Sequence, residues 1–162
     1  MQKLIKDGQI IDDSTVVLDS DFEGTLPSGA LLVPLSFFKD NKASFENRSN
    51  VGVWIDSHEE PEELIEDLEK LPVIAINFPK FGDGRGYSYA RLLRDRFNYK
   101  GELRAIGDVL QDQLFYMQRC GFNAFAVRAD RDINCALTAL TTFSSSYQAA
   151  CDNPDPLFRR RS

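Results

Sequence analysis

From residue 31 onward, short apolar runs alternate with segments of helical spacing, and this alternation constrains the fold more than any other feature of the chain. The runs are Ala30-Leu-Leu-Val-Pro34, Val51-Gly-Val-Trp-Ile55, Val73-Ile-Ala-Ile-Asn-Phe78, Glu102-Leu-Arg-Ala-Ile106 and residues 122–127. The third is the strongest: continuous, apolar and rich in β-branched residues, as expected for a strand covered on both faces. Strand starts at 51, 73, 102 and 122 give periods of roughly 20–30 residues, a usual length for a strand–helix unit. Such repetition predicts an α/β fold: a parallel sheet whose crossovers are right-handed. Two architectures fit, an open doubly wound sheet or a half TIM-barrel-like sheet. Periodicity does not order the strands, and eight strands for a closed barrel are not there.

The intervening segments carry helix signals. A helix is expected within 36–45. Ser57-His-Glu-Glu60 has the spacing of a capping box and opens a helix over about 61–71, with Leu64, Ile65, Leu68 and Leu71 on one face. Another runs to about Phe97, with Ala90, Leu93 and Phe97 inward. Asp108 is placed to cap a helix that ends at Cys120, where Gly121 stops it. Asp132 is placed to cap the last helix, through about Phe143. Ahead of all this, residues 3–11 read as two short strands around Asp7-Gly8, a dipeptide suited to a type I′ hairpin turn. A polar stretch then runs to Gly29.

At 162 residues the chain is expected to form one domain: an N-terminal hairpin and linker over 1–29, strand–helix repeats over 30–150, and an irregular basic tail over 151–162. Net charge is −6, which argues against a nucleic-acid partner. No apolar run approaches the ~20 residues that a membrane-spanning helix requires. The three cysteines, Cys120, Cys135 and Cys151, are scattered and odd in number, and the polar start does not resemble an export signal; a reducing, cytoplasmic location is the expectation. They cannot supply the four ligands of an ordinary iron–sulfur cluster. His58 is the single histidine, so neither a Ser-His-Asp set nor a histidine-rich metal site can be built. No cofactor or metal motif is evident.

Ligands of parallel α/β proteins sit beyond the carboxyl ends of the strands. Of the junctions this rule selects, Phe78-Pro-Lys-Phe-Gly-Asp-Gly-Arg-Gly-Tyr-Ser88 stands out. Its alternating glycines allow successive N–H groups to converge on an anion. Arg85 and Lys80 can add charge-assisted bonds to sulfite, sulfate, phosphate or a carboxylate. Gly84, Gly86, Tyr87 and Ser88 complete the candidate binding loop, and Arg128, at another strand end, is a further anion ligand. Asp83 and Asp108 are the candidate acid/base carboxylates. The alternative is a tight turn that needs glycine, with Arg85 paired to Asp83 or Asp108. The loop is neither Gly-x-Gly-x-x-Gly nor a Walker loop.

The stretch 78–94, then Gly101-Glu-Leu-Arg-Ala-Ile-Gly-Asp-Val-Leu-Gln-Asp-Gln-Leu114, Arg119-Cys-Gly-Phe122, Tyr147-Gln148 and the Pro-Leu-Phe-Arg-Arg-Arg161 end, resembles an uncharacterised bacterial family, domain of unknown function 934. Its members are described as oxidoreductases of sulfite reduction and are encoded beside the sulfite reductase haemoprotein. The resemblance implies an accessory protein of assimilatory sulfite reduction, with sulfite reductase as a partner and a small oxyanion as ligand. The family offers no established catalytic residues to carry over, and Gly82 stands where it commonly has Thr. Two other expectations remain open: an independent small enzyme acting on a phosphorylated or carboxylated metabolite, and a scaffold without chemistry. A half-barrel also leaves edges or a face that a second copy could cover, as in a homodimer.

Overall fold

Eight strands form one sheet in the computed structural model, which describes residues 2–46, 48–56, 58–78, 85–128 and 131–142. The strands are β1 (Gln2–Lys6), β2 (Gln9–Asp13), β3 (Val16–Val17), β4 (Leu31–Pro34), β5 (Val51–Ile55), β6 (Val73–Phe78), β7 (Glu102–Gly107) and β8 (Ala124–Phe125). Their order across the sheet is β2-β1-β8-β7-β6-β5-β4-β3. From β3 to β8 every neighbouring pair is parallel, and every crossover steps the same way. A doubly wound sheet must reverse its direction somewhere, and this one does not. The fold is therefore a curled half-barrel with the hairpin β1–β2 added antiparallel beside β8.

Register sorts the side chains onto two faces. Val33, Val53, Ile74 and Leu103 lie in one row across β4 to β7, and all are buried in the main apolar core. This convex face is covered by α1 (Leu35–Asp40), α2 (Lys42–Phe45), α3 (Arg85–Arg91), α4 (Leu114–Cys120) and α5 (Ile133–Thr142). The alternate row, Trp54, Ala75, Arg104 and Ala124, lies on the concave face.

Only Ser14 and Thr15 separate β2, at one end of the strand order, from β3 at the other. Three Cα steps span about 11 Å at most, so both edges of the sheet must come close together. Two contacts report the same curl. Trp54 Nε1 donates to Leu18 O, just past β3, at 2.8 Å. Arg104 Nη1 donates to Asp13 Oδ2 at 3.0 Å; three strand spacings, ~14 Å on a flat sheet, separate their strands. The polar stretch before Gly29 thus contains a strand, β3, that its composition conceals, and it brings the sheet to the eight strands not expected from the sequence.

Several helices differ from expectation. The segment after β5 is a 3-10 helix over Pro61–Asp67, shorter than the expected helix over 61–71. Pro61, Leu64 and Asp67 are buried, every third residue, as the three-residue turn requires. Ile65, expected inward, is consequently 48% exposed, and Asp67 is brought inside, where Lys42 Nζ pairs with it at 2.9 Å. Ser57 lies outside the described residues; the backbone N–H of Asp56 is satisfied by the Glu59 carboxylate at 2.9 Å. The expected helix in 36–45 is split into α1 and α2 at Asn41, whose side chain donates to Phe37 O. Helix α3 runs on into a π turn over Leu92–Arg96.

Other signals held. Asp7 and Gly8 both have positive φ, as a type I′ turn requires. Gly121 ends α4 at φ 120°. The Asp132 carboxylate accepts from the N–H of Asn134 at 2.9 Å, capping α5; that bond also holds its pKa below the ordinary carboxylate value. At the base of the half-barrel, Arg94 clamps two other chain segments, with Nε on Gly121 O at 3.0 Å and Nη1 on Tyr99 O and Gly101 O at 2.8 Å each. No described helix is long and apolar enough to cross a membrane.

Candidate functional site

A cavity of about 710 Å³ opens on the concave face, toward the carboxyl ends of the strands. Both sheet edges and the middle strands contribute to it: Leu4 and Asp13 from the hairpin, Val17 in β3 and Asp19 just beyond it, then Trp54, Asn77, Arg104 and Ile106. Gly107 and residues 126–128 complete the rim. The curl explains the arrangement, since helices cover only the convex side and the concave row is left facing the cavity.

Arg104 forms the floor. It is 5% exposed and held from two sides, with Glu102 Oε2 at 2.7 Å and Asp13 Oδ2 at 3.0 Å. Lys6 Nζ pairs with Glu102 Oε1 at 3.0 Å, so two cations and two carboxylates balance within one network. A buried arginine with both neighbours charged and bonded is a structural element first.

The rim is built differently. Gly107 closes β7 at φ +89°, and a Cβ there would collide with Asn77 Oδ1 and the Phe78 carbonyl. Only glycine fits that turn. It lets Asp108 N donate back to Phe78 O at 2.9 Å, and Arg128 N donates to Val109 O at 3.2 Å. These backbone bonds bring the ends of β7 and β8 together, and Arg128 Nη1 donates to Asp108 Oδ1 at 2.8 Å. Asp108 therefore does not cap a helix; its carboxylate is turned to the neighbouring strand end. The helical segment begins only at Gln111, with a 3-10 turn over Gln111–Gln113 ahead of α4. The side chains of Arg128 and Asp108 are 34% and 16% exposed, so the pair is open to solvent where Arg104 is not. Asn77 Nδ2 donates to Asp56 Oδ1 at 3.3 Å, which ties the ends of β5 and β6 in the same way.

Of the loop residues read as candidate ligands, Lys80, Asp83 and Gly84 lie outside the described residues. Arg85 opens α3 and is exposed, and it is not among the residues that line the cavity. Gly86 is buried against the sheet, where a Cβ would stand 2.7 Å from the Phe78 ring; the glycine permits close contact between helix and strand. Tyr87 packs between Phe78 and Tyr116 in tilted ring contacts, with centroids 5.1 and 4.8 Å away. Burial pushes its hydroxyl pKa up. Ser88 is exposed. The described residues thus bring Asp108 and Arg128 together at the cavity rim, while Gly86 and Tyr87 serve the joint between α3 and the sheet.

Trp54, Asn77 and Asp13 are cavity residues that sequence reasoning passed over. Asn77 carried a usable signal: it is the one polar residue in β6 and stands next to its carboxyl end. Trp54 also sits one residue before a strand end. Nothing local marks Asp13, whose partner is Arg104. His58 is 75% exposed, its Nδ1 3.9 Å from Asp56 Oδ2, as a surface residue ahead of a helix should be. Cys120 is buried and its thiol pKa raised by that burial; Cys135 is exposed. Among the described residues, no three His, Cys, Asp or Glu side chains gather as a metal site would need.

A family model described as bacterial protein of unknown function (DUF934) matches residues 52–158, more than half of the chain. The chain belongs to this family. The part matched to DUF934 spans almost all of β5 and the whole of β6, β7 and β8, and so includes Trp54, Asn77, Asp108 and Arg128. The hairpin that supplies Asp13 precedes it. No curated protein matches the chain.

Proposed function

We propose that this protein is an accessory protein of assimilatory sulfite reduction that binds an anionic ligand at the mouth of its half-barrel. Arg128 is the anchor, and Arg85 with the Lys80, Asp83 and Gly84 sequence motif is the second candidate contact. The observation that carries this reading is the Arg128–Asp108 pair: a guanidinium at the rim of a 710 Å³ cavity, partly exposed, at the carboxyl ends of parallel strands. The resemblance of residues 78–122 to the family described above supplies the pathway and sulfite reductase as the partner. Asp108 beside that anchor also favours a second reading, an independent enzyme on a phosphorylated or carboxylated metabolite with Asp108 as acid/base.

A ligand that binds only the folded state raises the melting temperature. Sulfite, sulfate and phosphate are expected to stabilise the wild type, and Arg128→Ala is expected to abolish the shift with the fold retained. Absence of any shift would favour a scaffold without chemistry. Co-purification with sulfite reductase separates the accessory role from the independent enzyme.

A further inference from the structure

Resting on the anion-binding reading above, we infer that the ligand is an organic molecule bearing one phosphate, sulfonate or carboxylate group, and that Asp108 occupies the place of that group until the ligand displaces it. Size argues first. An inorganic oxyanion takes up the room of a few water molecules, at ~30 Å³ each. The cavity measures about 710 Å³, within the range of pockets that enclose ligands of tens of atoms. A bare anion held at Arg128 would leave most of it to water.

The lining argues second. Away from Arg128 and the Arg104–Asp13 floor, the cavity wall presents Trp54, Leu4, Val17 and Ile106, with Asn77 and Asp19 as the polar residues among them. Trp54 is held in place by its bond to Leu18 O. A fixed indole beside aliphatic side chains suits a flat, apolar body. Arg104, saturated by Glu102 and Asp13, is not a second anchor. The site is thus asymmetric, with an anion end at Arg128 and a body end along Trp54.

Asp108 argues third. Its carboxylate makes the same charge-assisted bond to Arg128 that a ligand anion would make, at 2.8 Å. It is tethered on β7's carboxyl end, so it competes as an intramolecular anion, and release into solvent leaves it hydrated because it is not fully buried. A ligand therefore binds with an apparent affinity lowered by the fraction of molecules in which Arg128 is occupied.

Trp54 is the single tryptophan of the chain and reports on this cavity directly. Its fluorescence is titrated with phenyl phosphate and benzenesulfonate, and separately with inorganic phosphate and sulfate, while thermal shift follows the inorganic arm. Phenyl phosphate is expected to change the Trp54 emission and to bind at least ~10-fold more tightly than phosphate. Asp108→Asn is expected to tighten both by ~10-fold, with Asp108→Ser as the second variant should the first fold poorly; Arg128→Gln is expected to lose both. Equal affinity for phosphate and phenyl phosphate overturns the organic ligand class. Unchanged or weaker binding in Asp108→Asn and Asp108→Ser overturns displacement. In both cases anion binding itself survives; failure of every arm in wild type and variants sinks the reading on which the inference rests.

Discussion

Arg104 Nη1 and Asp13 Oδ2 meet at 3.0 Å across 91 residues of sequence, joining the middle of the sheet to the end of its hairpin. That contact exists because the sheet curls, and it sits beneath the cavity in which a ligand is proposed to bind.

Removing Arg104 leaves Glu102 with Lys6 and takes the cation from Asp13, so one negative charge of the network is uncompensated. Arg104→Ala is expected to cost about 3–5 kcal/mol in urea unfolding, the range for breaking one side of a buried pair. Asp13→Asn should cost less, because Arg104 keeps Glu102 and Asp13 is the more exposed partner. Equal losses in the two variants would show that the hairpin link, rather than the buried charge, is what matters.

Tyr99 sets an alkaline limit. Its hydroxyl donates to Leu71 O at 2.8 Å, and burial pushes its pKa well above the usual 10.0. The folded state therefore favours the protonated form. Its contribution is fully present below pH ~10 and is lost as pH rises from there toward the folded value. Tyr99→Phe is expected to lower stability at neutral pH by about 1 kcal/mol through the lost hydrogen bond, yet to show a shallower decline in Tm on the alkaline side. Parallel declines in wild type and variant would contradict this.

Gly8 and Gly107 both have positive φ and should respond differently to alanine. Nothing lies within 4 Å of a Cβ added at Gly8, so Gly8→Ala carries only backbone strain, about 1 kcal/mol. At Gly107 the new methyl runs into Asn77 Oδ1 and the Phe78 backbone. Gly107→Ala should cost several times more, about 3 kcal/mol or above, and should alter Trp54 emission by disturbing the rim. Thermal melts of the two variants, read with fluorescence, make the comparison.

Much of the fold was legible because its signals are local. The β-branched run Val73–Phe78, the Asp7-Gly8 turn, Gly121 after Cys120 and the Asp132 cap each act through neighbours in sequence. What was hidden depends on distant partners. Val16 and Val17 become a strand only because β4 lies alongside, and no property of five apolar runs distinguishes sequential from reversed strand order. Asp108 has the type and position of a helix cap, and it pairs instead with an arginine that the parallel neighbour β8 brings beside it. The concave row of Trp54 and Arg104 could be read as alternation only once the covered face was known. The candidate site was thus half legible: Asp108 and Arg128 were named from strand ends, and the cavity that joins them comes from curvature.

The join between β1 and β8 has a consequence for how the chain is made. Ile5 and Lys6 pair with Phe125 and Ala124, so β1 waits for β8, which is synthesised more than 100 residues later. Ladders β3 to β7 can zip up as each emerges from the ribosome, but the hairpin stays without its parallel-sheet neighbour until β8 has cleared the exit tunnel. Contacts of such sequence separation slow folding, and until they form, the unpaired side of β1 is an edge on which nascent chains can associate.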